Sequence, residues 1–138
     1  MIKLSRSEDY ALVLVHALSK SYEKTIMPLS QIAKEYHLSL LFLRNVANAL
    51  KHAGVIQAVE GKKGGYSLAK HPDDIHMGEV LQLFTEEAAL SCCGLGKING
   101  VCHKTGNCAP SMMLRKINKE FIEKISKLSL TEFQQYAK

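Results

Sequence analysis

The chain has 138 residues, 46% of them apolar and 22% charged, with a formal net charge of +5. That composition supports one compact core, and no apolar run approaches the roughly 20 residues of a membrane-spanning helix. The positive excess lies wholly in residues 1–70, where ten Lys and Arg face five Asp and Glu; the remainder holds eight of each. A polyanionic partner for the N-terminal half is therefore expected.

Near the N-terminus the sequence turns acidic at Glu8 and Asp9, where a signal peptide would be apolar, so a cytoplasmic protein with no membrane association is expected. Ser5 and Glu8 form a capping-box pattern that opens a helix reaching about Lys20. Pro28 marks a turn. Residues 30–36 read as a short helix with Ile32 and Ala33 inward, and His37-Leu38 leaves room only for a tight turn. Ser39 is a good N-cap for a helix running to about His52, with Leu40, Leu43, Val46, Ala47 and Leu50 at core spacing. Gly54 is placed to end it in the left-handed conformation.

Residues 55–59 and 66–69 read as a strand pair. Between them lies the glycine-rich, basic tip Glu60-Gly61-Lys62-Lys63-Gly64-Gly65. Residues 77–84 form a short amphipathic helix. A long helix starts at Pro110-Ser111, with Leu114, Ile117, Phe121, Ile125 and Leu128 in a narrow stripe of the kind that packs on a partner helix. Ser129 and Glu132 repeat the capping-box pattern and open a last short helix.

Two helices joined by a tight turn and followed by a hairpin define a winged helix-turn-helix, so the fold class is mainly α with a two-stranded β wing, and the striped long C-terminal helix is expected to serve dimerisation. Residues 1–85 would form the DNA-binding part and residues 86–138 the cysteine-bearing segment and dimer helix of one compact chain. The second helix of the motif would read DNA, presenting Ser39, Leu41, Arg44, Asn45 and Asn48 outward. Arginine can bond guanine through two hydrogen bonds, and asparagine can do the same with adenine. Lys62 and Lys63 suit phosphate contact or minor-groove insertion.

All four cysteines lie within residues 92–108: Cys92, Cys93, Cys102 and Cys108. Four of the nine glycines share that stretch, which has neither helical nor strand period. Thiolates gathered on such a segment suit an iron–sulfur cluster, either 4Fe-4S or 2Fe-2S. Zinc fits less well, because no Cys-x-x-Cys pair is present. A cluster-free thiol switch remains open, since Lys97, His103 and Lys104 could lower a thiol pKa. A small iron–sulfur carrier with an incidental helix-turn-helix pattern is the reading from another class. No catalytic triad, phosphate loop or paired-carboxylate site is present, so an enzyme is not expected.

Ser30-Gln31-Ile32-Ala33, the run from Leu43 to Leu50, Ala53-Gly54-Val55, and above all Gly61-Lys62-Lys63-Gly64-Gly65-Tyr66-Ser67-Leu68-Ala69 resemble the Rrf-type regulators that include IscR and NsrR. Asp9-Tyr10-Ala11-Leu12 and Ile75-His76-Met77-Gly78-Glu79-Val80 fit the same pattern. The resemblance covers nearly the whole chain. It implies a homodimeric transcription regulator on a pseudo-palindromic operator, probing redox state, nitric oxide or iron through a cluster in the cysteine-bearing members. It also implies a non-cysteine ligand, either a histidine past the last cysteine or an acidic residue near the partner's N-terminus. No histidine follows Cys108, and Asp9 matches the acidic position, with Glu8, Cys92 and His103 as alternatives. Two departures stand out: Ala58 and Glu60 replace the serine and arginine of many members, and the gap from Cys93 to Cys102 is longer than is common.

Overall fold

The computed structural model describes residues 4–85 and 109–136, apart from the side chains of Ser111 and Arg115. The elements in chain order are α1 (Arg6–Lys20), α2 (Leu29–Glu35), α3 (Leu40–His52), β1 (Ile56–Val59), β2 (Gly65–Leu68), a 3-10 turn (Pro72–Asp74), α4 (Met77–Gln82), α5 (Ala109–Lys127) and α6 (Leu130–Gln135). Among the described residues no helix is long and apolar enough to cross a membrane.

Both capping boxes form as the pattern requires. Ser5 accepts from the Glu8 amide while Glu8 Oε2 accepts from the Ser5 amide at 2.6 Å, and Ser129 and Glu132 repeat the exchange. Their side chains occupy amides that the first helical turn leaves without partners. At the other end of α3, Gly54 takes φ +75°, the left-handed conformation that glycine adopts without steric cost.

The core is shared by nearly every element. Leu14, Val15 and Leu18 of α1 pack against Ile32 of α2, and against Leu43, Val46, Ala47 and Leu50 of α3. Val55, Ile56 and Leu68 close it beneath the hairpin, and Ile75, Met77, Val80 and Leu130 extend it toward the C-terminus. Leu130 is completely buried, so α6 contributes to the same core as the helices of residues 1–85. Backbone bonds fix that junction: the Met77 amide donates to the Leu128 carbonyl at 2.8 Å, and the Leu130 amide to the Ile75 carbonyl at 2.7 Å.

Local boundaries differ from the sequence expectation where backbone chemistry intervenes. Pro28 is the N-cap of α2 rather than part of a separate turn, so the helix starts at Leu29, one residue earlier than expected. The Pro72–Asp74 turn was not anticipated; it is opened by His71, whose Nδ1 accepts from the Asp73 amide at 3.2 Å. The fourth helix stops at Gln82, and Leu83 and Phe84 form a turn. The stripe on α5 divides: Ile125 and Leu128 pack on this chain's own core, Leu114 and Phe121 are half-buried, and Ile117 stays 50% exposed.

Candidate nucleic-acid interface

Helices α2 and α3 meet at a turn of four residues, Tyr36 to Ser39, in which His37 takes φ 53°, a backbone conformation that few side chains adopt. The Leu38 amide bonds back to the Ala33 carbonyl at 2.8 Å and completes the reversal. Ser39 then caps α3, its hydroxyl oxygen accepting from the Phe42 amide at 3.4 Å. Because Leu43, Val46, Ala47 and Leu50 turn inward, positions 41, 44, 45 and 48 must project to the opposite side. Arg44, Asn45 and Asn48 are all exposed, and Leu41 is 72% exposed. An apolar side chain so exposed on the first turn of a helix gains nothing from the chain's own core, and can contact a thymine methyl.

The hairpin stands beside this face. Its strands pair antiparallel with Ile56 opposite Leu68 and Val59 opposite Gly65, and the tip is closed by the Gly64 amide bonding to the Gly61 carbonyl at 3.0 Å. Met27, in the connection between α1 and α2, pairs with Tyr66 on the free edge of β2: the two exchange amide-to-carbonyl bonds of 3.0 and 2.8 Å. That bridge ties the wing to the root of α2, the helix that precedes the reading helix. Lys62 and Lys63 sit exposed at the tip, and Glu60 is exposed beside them. Arg44, Asn45, Asn48, Gly64 and Tyr66 line one open groove between α3 and the wing.

The N-terminal turn of α1 packs behind the reading helix. The Ser39 amide donates to the Tyr10 hydroxyl at 3.0 Å. The Arg6 guanidinium lies 4.7 Å from the Phe42 ring centre and 5.4 Å from that of Tyr10, and the two rings meet edge to face at 4.9 Å. The Ser39 amide and Arg6 hold the Tyr10 phenol below its ordinary pKa, because both stabilise the phenolate.

Glu8 and Asp9 differ sharply in surroundings. Glu8 is buried, and beyond its capping bond its Oε1 accepts from the Thr85 hydroxyl at 2.5 Å. Burial alone would raise its pKa, but the bonds from Thr85 and from the Ser5 amide and hydroxyl outweigh burial and lower it. Asp9 is exposed, and its carboxylate makes no hydrogen bond or ion pair with another described residue. Cys92, Cys93, Cys102, His103 and Cys108 lie outside the described residues. Among the described residues no cluster of three or more His, Cys, Asp or Glu is placed to hold a metal.

Sequence reasoning missed two features here. Thr85 follows a short helix with no pattern marking it, and lies 77 residues from its partner Glu8. The Tyr10 hydroxyl likewise reaches the Ser39 amide across 29 residues. The aromatic at position 10 was legible only as part of an apolar face.

A basic reading helix beside a wing defines a winged helix-turn-helix protein. Nearly the whole chain matches one such group: residues 4–135 fit the model of Rrf2, described as iron-dependent transcriptional regulator. The chain therefore belongs to the Rrf2 family of transcriptional regulators, which are not enzymes. It is similar to the HTH-type transcriptional regulator IscR of Cereibacter sphaeroides, at 30% identity over 72% of this chain and 66% of that protein. It is also similar to the HTH-type transcriptional regulator NsrR of Shouchella clausii, at 30% identity over 67% of this chain and 62% of that protein. The matches thus span less than two thirds of the length of these curated relatives. Among solved structures, CymR, the global cysteine regulator of B. subtilis, superposes with a TM-score of 0.78 at 23% identity, covering 99% of this chain and 98% of that one. That likeness establishes a shared fold.

Proposed function

We propose that this chain is a DNA-binding repressor that acts as a homodimer and is controlled by an iron–sulfur cluster. The observation that carries the DNA-binding part is the exposed row Leu41, Arg44, Asn45 and Asn48 on α3, set beside a wing tipped by Lys62 and Lys63. Arg44 and the two asparagines are suited to base edges in the major groove, Ser39 and both lysines to the phosphate backbone. The pairing surface is the part of α5 around exposed Ile117 and half-buried Leu114 and Phe121, because Ile125 and Leu128 are already engaged with this chain's own core.

The donor set fits a cluster. Cys93, Cys102 and Cys108 offer three soft thiolates, and a family described as iron-dependent is consistent with that use. The fourth ligand is Asp9 rather than Glu8. Ligation by Glu8 would sacrifice a helix cap and the Thr85 bond, whereas the Asp9 carboxylate is exposed with no such engagement. A carboxylate is a hard ligand among soft ones, so that position would exchange readily and respond to nitric oxide, oxygen or iron supply. The chain's own residues then convert ligation into geometry. The cysteine segment joins Thr85 to Ala109, so fixing it biases α5 against α4 and hence the spacing of two reading helices that a two-fold site needs roughly 34 Å apart.

The test is the anaerobic absorption spectrum with iron and sulfide content of fresh protein, followed by DNA titration of the cluster-loaded and cluster-free forms across salt concentrations. Visible absorbance lost in each of Cys93→Ala, Cys102→Ala and Cys108→Ala, with unequal DNA affinity of the two forms, supports the reading. Colourless protein that cannot be reconstituted overturns the cluster and leaves a thiol-switch repressor. Failure to protect any DNA, with transfer of the cluster to an acceptor, points to a carrier.

A further inference from the structure

We propose that the first turns of α1 are a coupling unit, in which Glu8 and Tyr10 are positioning residues joining the root of the cysteine segment to the first turn of the reading helix. Three side chains within five residues reach two different elements. Glu8 holds the Thr85 hydroxyl at the end of the α4 region. Tyr10 accepts from the Ser39 amide at the start of the reading helix. Arg6 spans the rings of Tyr10 and Phe42, one on each side of that junction. Tyr10 is 6% exposed and Glu8 8%, so each link is anchored on a buried side chain of α1, while its partners Thr85 and Ser39 lie at the surface.

The arrangement is economical. Glu8 Oε2 is committed to the Ser5 amide, so Glu8 cannot follow Thr85 without loosening the helix start. The Thr85 hydroxyl is also 2.8 Å from the Leu81 carbonyl, so its one proton is shared between α1 and its own helical turn. A displacement of residues beyond Thr85 therefore favours one acceptor over the other. When Glu8 is released, the first turn of α1 loses a restraint, and Tyr10 with it. The consequence falls on Ser39, whose amide is held by Tyr10 and whose hydroxyl caps α3. The residues that meet DNA, Leu41, Arg44 and Asn45, stand within two turns of that cap.

The proposal rests on the cluster-controlled reading for its input, but the coupling itself is testable without a cluster. The experiment is amide hydrogen exchange on the full chain, comparing wild type with Thr85→Val, Thr85→Ser and Tyr10→Phe. Thr85→Val keeps the side-chain shape and removes the hydroxyl, so exchange at Ser39 and Phe42 should rise roughly three- to tenfold, the size of one lost hydrogen bond. Ala47 and Leu50, deeper in the same helix, should keep wild-type rates. Thr85→Ser restores the hydroxyl and should restore protection, and Tyr10→Phe should match or exceed Thr85→Val at Ser39. Wild-type protection of Ser39 and Phe42 in Thr85→Val overturns the coupling, as does an equal rise throughout α3. Alongside, cluster-loaded and cluster-free forms are titrated with DNA selected from a random pool by wild type. A smaller difference between the two forms in Thr85→Val than in wild type supports the coupling. Should wild type show no such difference while Thr85→Val still exposes Ser39, the coupling stands and only the cluster-controlled reading fails.

Discussion

Gly78 of α4 lies against Ser126 of α5 so closely that a Cβ placed on the glycine would fall 2.6 Å from the serine Cβ and 2.7 Å from its Cα. The contact involves backbone as well as side chain, so the two helices cannot approach this way with any residue but glycine. Gly78→Ala must push α5 outward, and overpacking of this kind costs about 1–3 kcal/mol. Urea unfolding should show that loss. Adding Ser126→Ala should not recover it, because the serine Cα remains in the way; full recovery would show that the crossing is looser than the contact implies.

Arg44 should carry base specificity. Arg44→Ala is expected to weaken binding to a selected operator by about 1–3 kcal/mol and to relax preference at one base pair, with other positions retained. Selection from a random DNA pool, repeated with the variant, reads both. Equal weakening on every sequence would reassign Arg44 to the phosphates.

The wing lysines should behave in the opposite way. Lys62→Ala and Lys63→Ala are each expected to weaken binding about equally on specific and unrelated DNA. Each should also lower the slope of log affinity against log salt by about 1. A change confined to one sequence would place that lysine at a base edge or in a sequence-narrowed minor groove.

Glu8 makes stability depend on pH in the acid range. Its pKa is lowered in the folded chain, so its contribution is fully present above the unfolded glutamate value, about 4.3, and disappears as pH falls through the folded value. Glu8→Gln should therefore lose stability at neutral pH and show a flatter decline below about pH 4.3 than wild type. Parallel curves for the two proteins would mean that the carboxylate is not the titrating group.

Asp9 separates ligand from cap. Asp9→Ala should leave thermal stability nearly unchanged, since its carboxylate makes no bond to another described residue. It should speed loss of iron and sulfide from the reconstituted protein. Glu8→Ala should do the reverse, costing about 0.5–2 kcal/mol as a broken cap while a reconstituted cluster persists. Identical cluster lifetimes in Asp9→Ala and wild type would remove Asp9 from the ligand set.

How much of this could be read in advance follows from the range of the interactions. Ser5, Ser39, Gly54 and Ser129 act within three or four residues of themselves, so their capping roles were legible, and with them the order of helices and the wing. The outward row on α3 was equally legible, because helical period alone separates Leu43, Val46, Ala47 and Leu50 from Leu41, Arg44, Asn45 and Asn48. What escaped is long-range. No periodicity links Glu8 to Thr85 or Tyr10 to Ser39. The stripe on α5 looked uniform in sequence, yet its last two members are claimed by the chain's own core because Met77 and Leu130 anchor that end. The 3-10 turn was missed because His71 is not an ordinary cap, and the burial of Asn118 has no counterpart in any apolar pattern.

The pinning of Met77 to Leu128 has a kinetic side. Thr85 follows α4 and Ala109 opens α5, so the stretch of sequence that carries the cysteines begins and ends at helices joined through that bond. Under the proposed cluster reading, the gathering of one chain's three thiolates would then be an intramolecular step governed by effective concentration. On that reading, cleaving the chain between Thr85 and Ala109 should slow cluster reconstitution, measured by the return of visible absorbance.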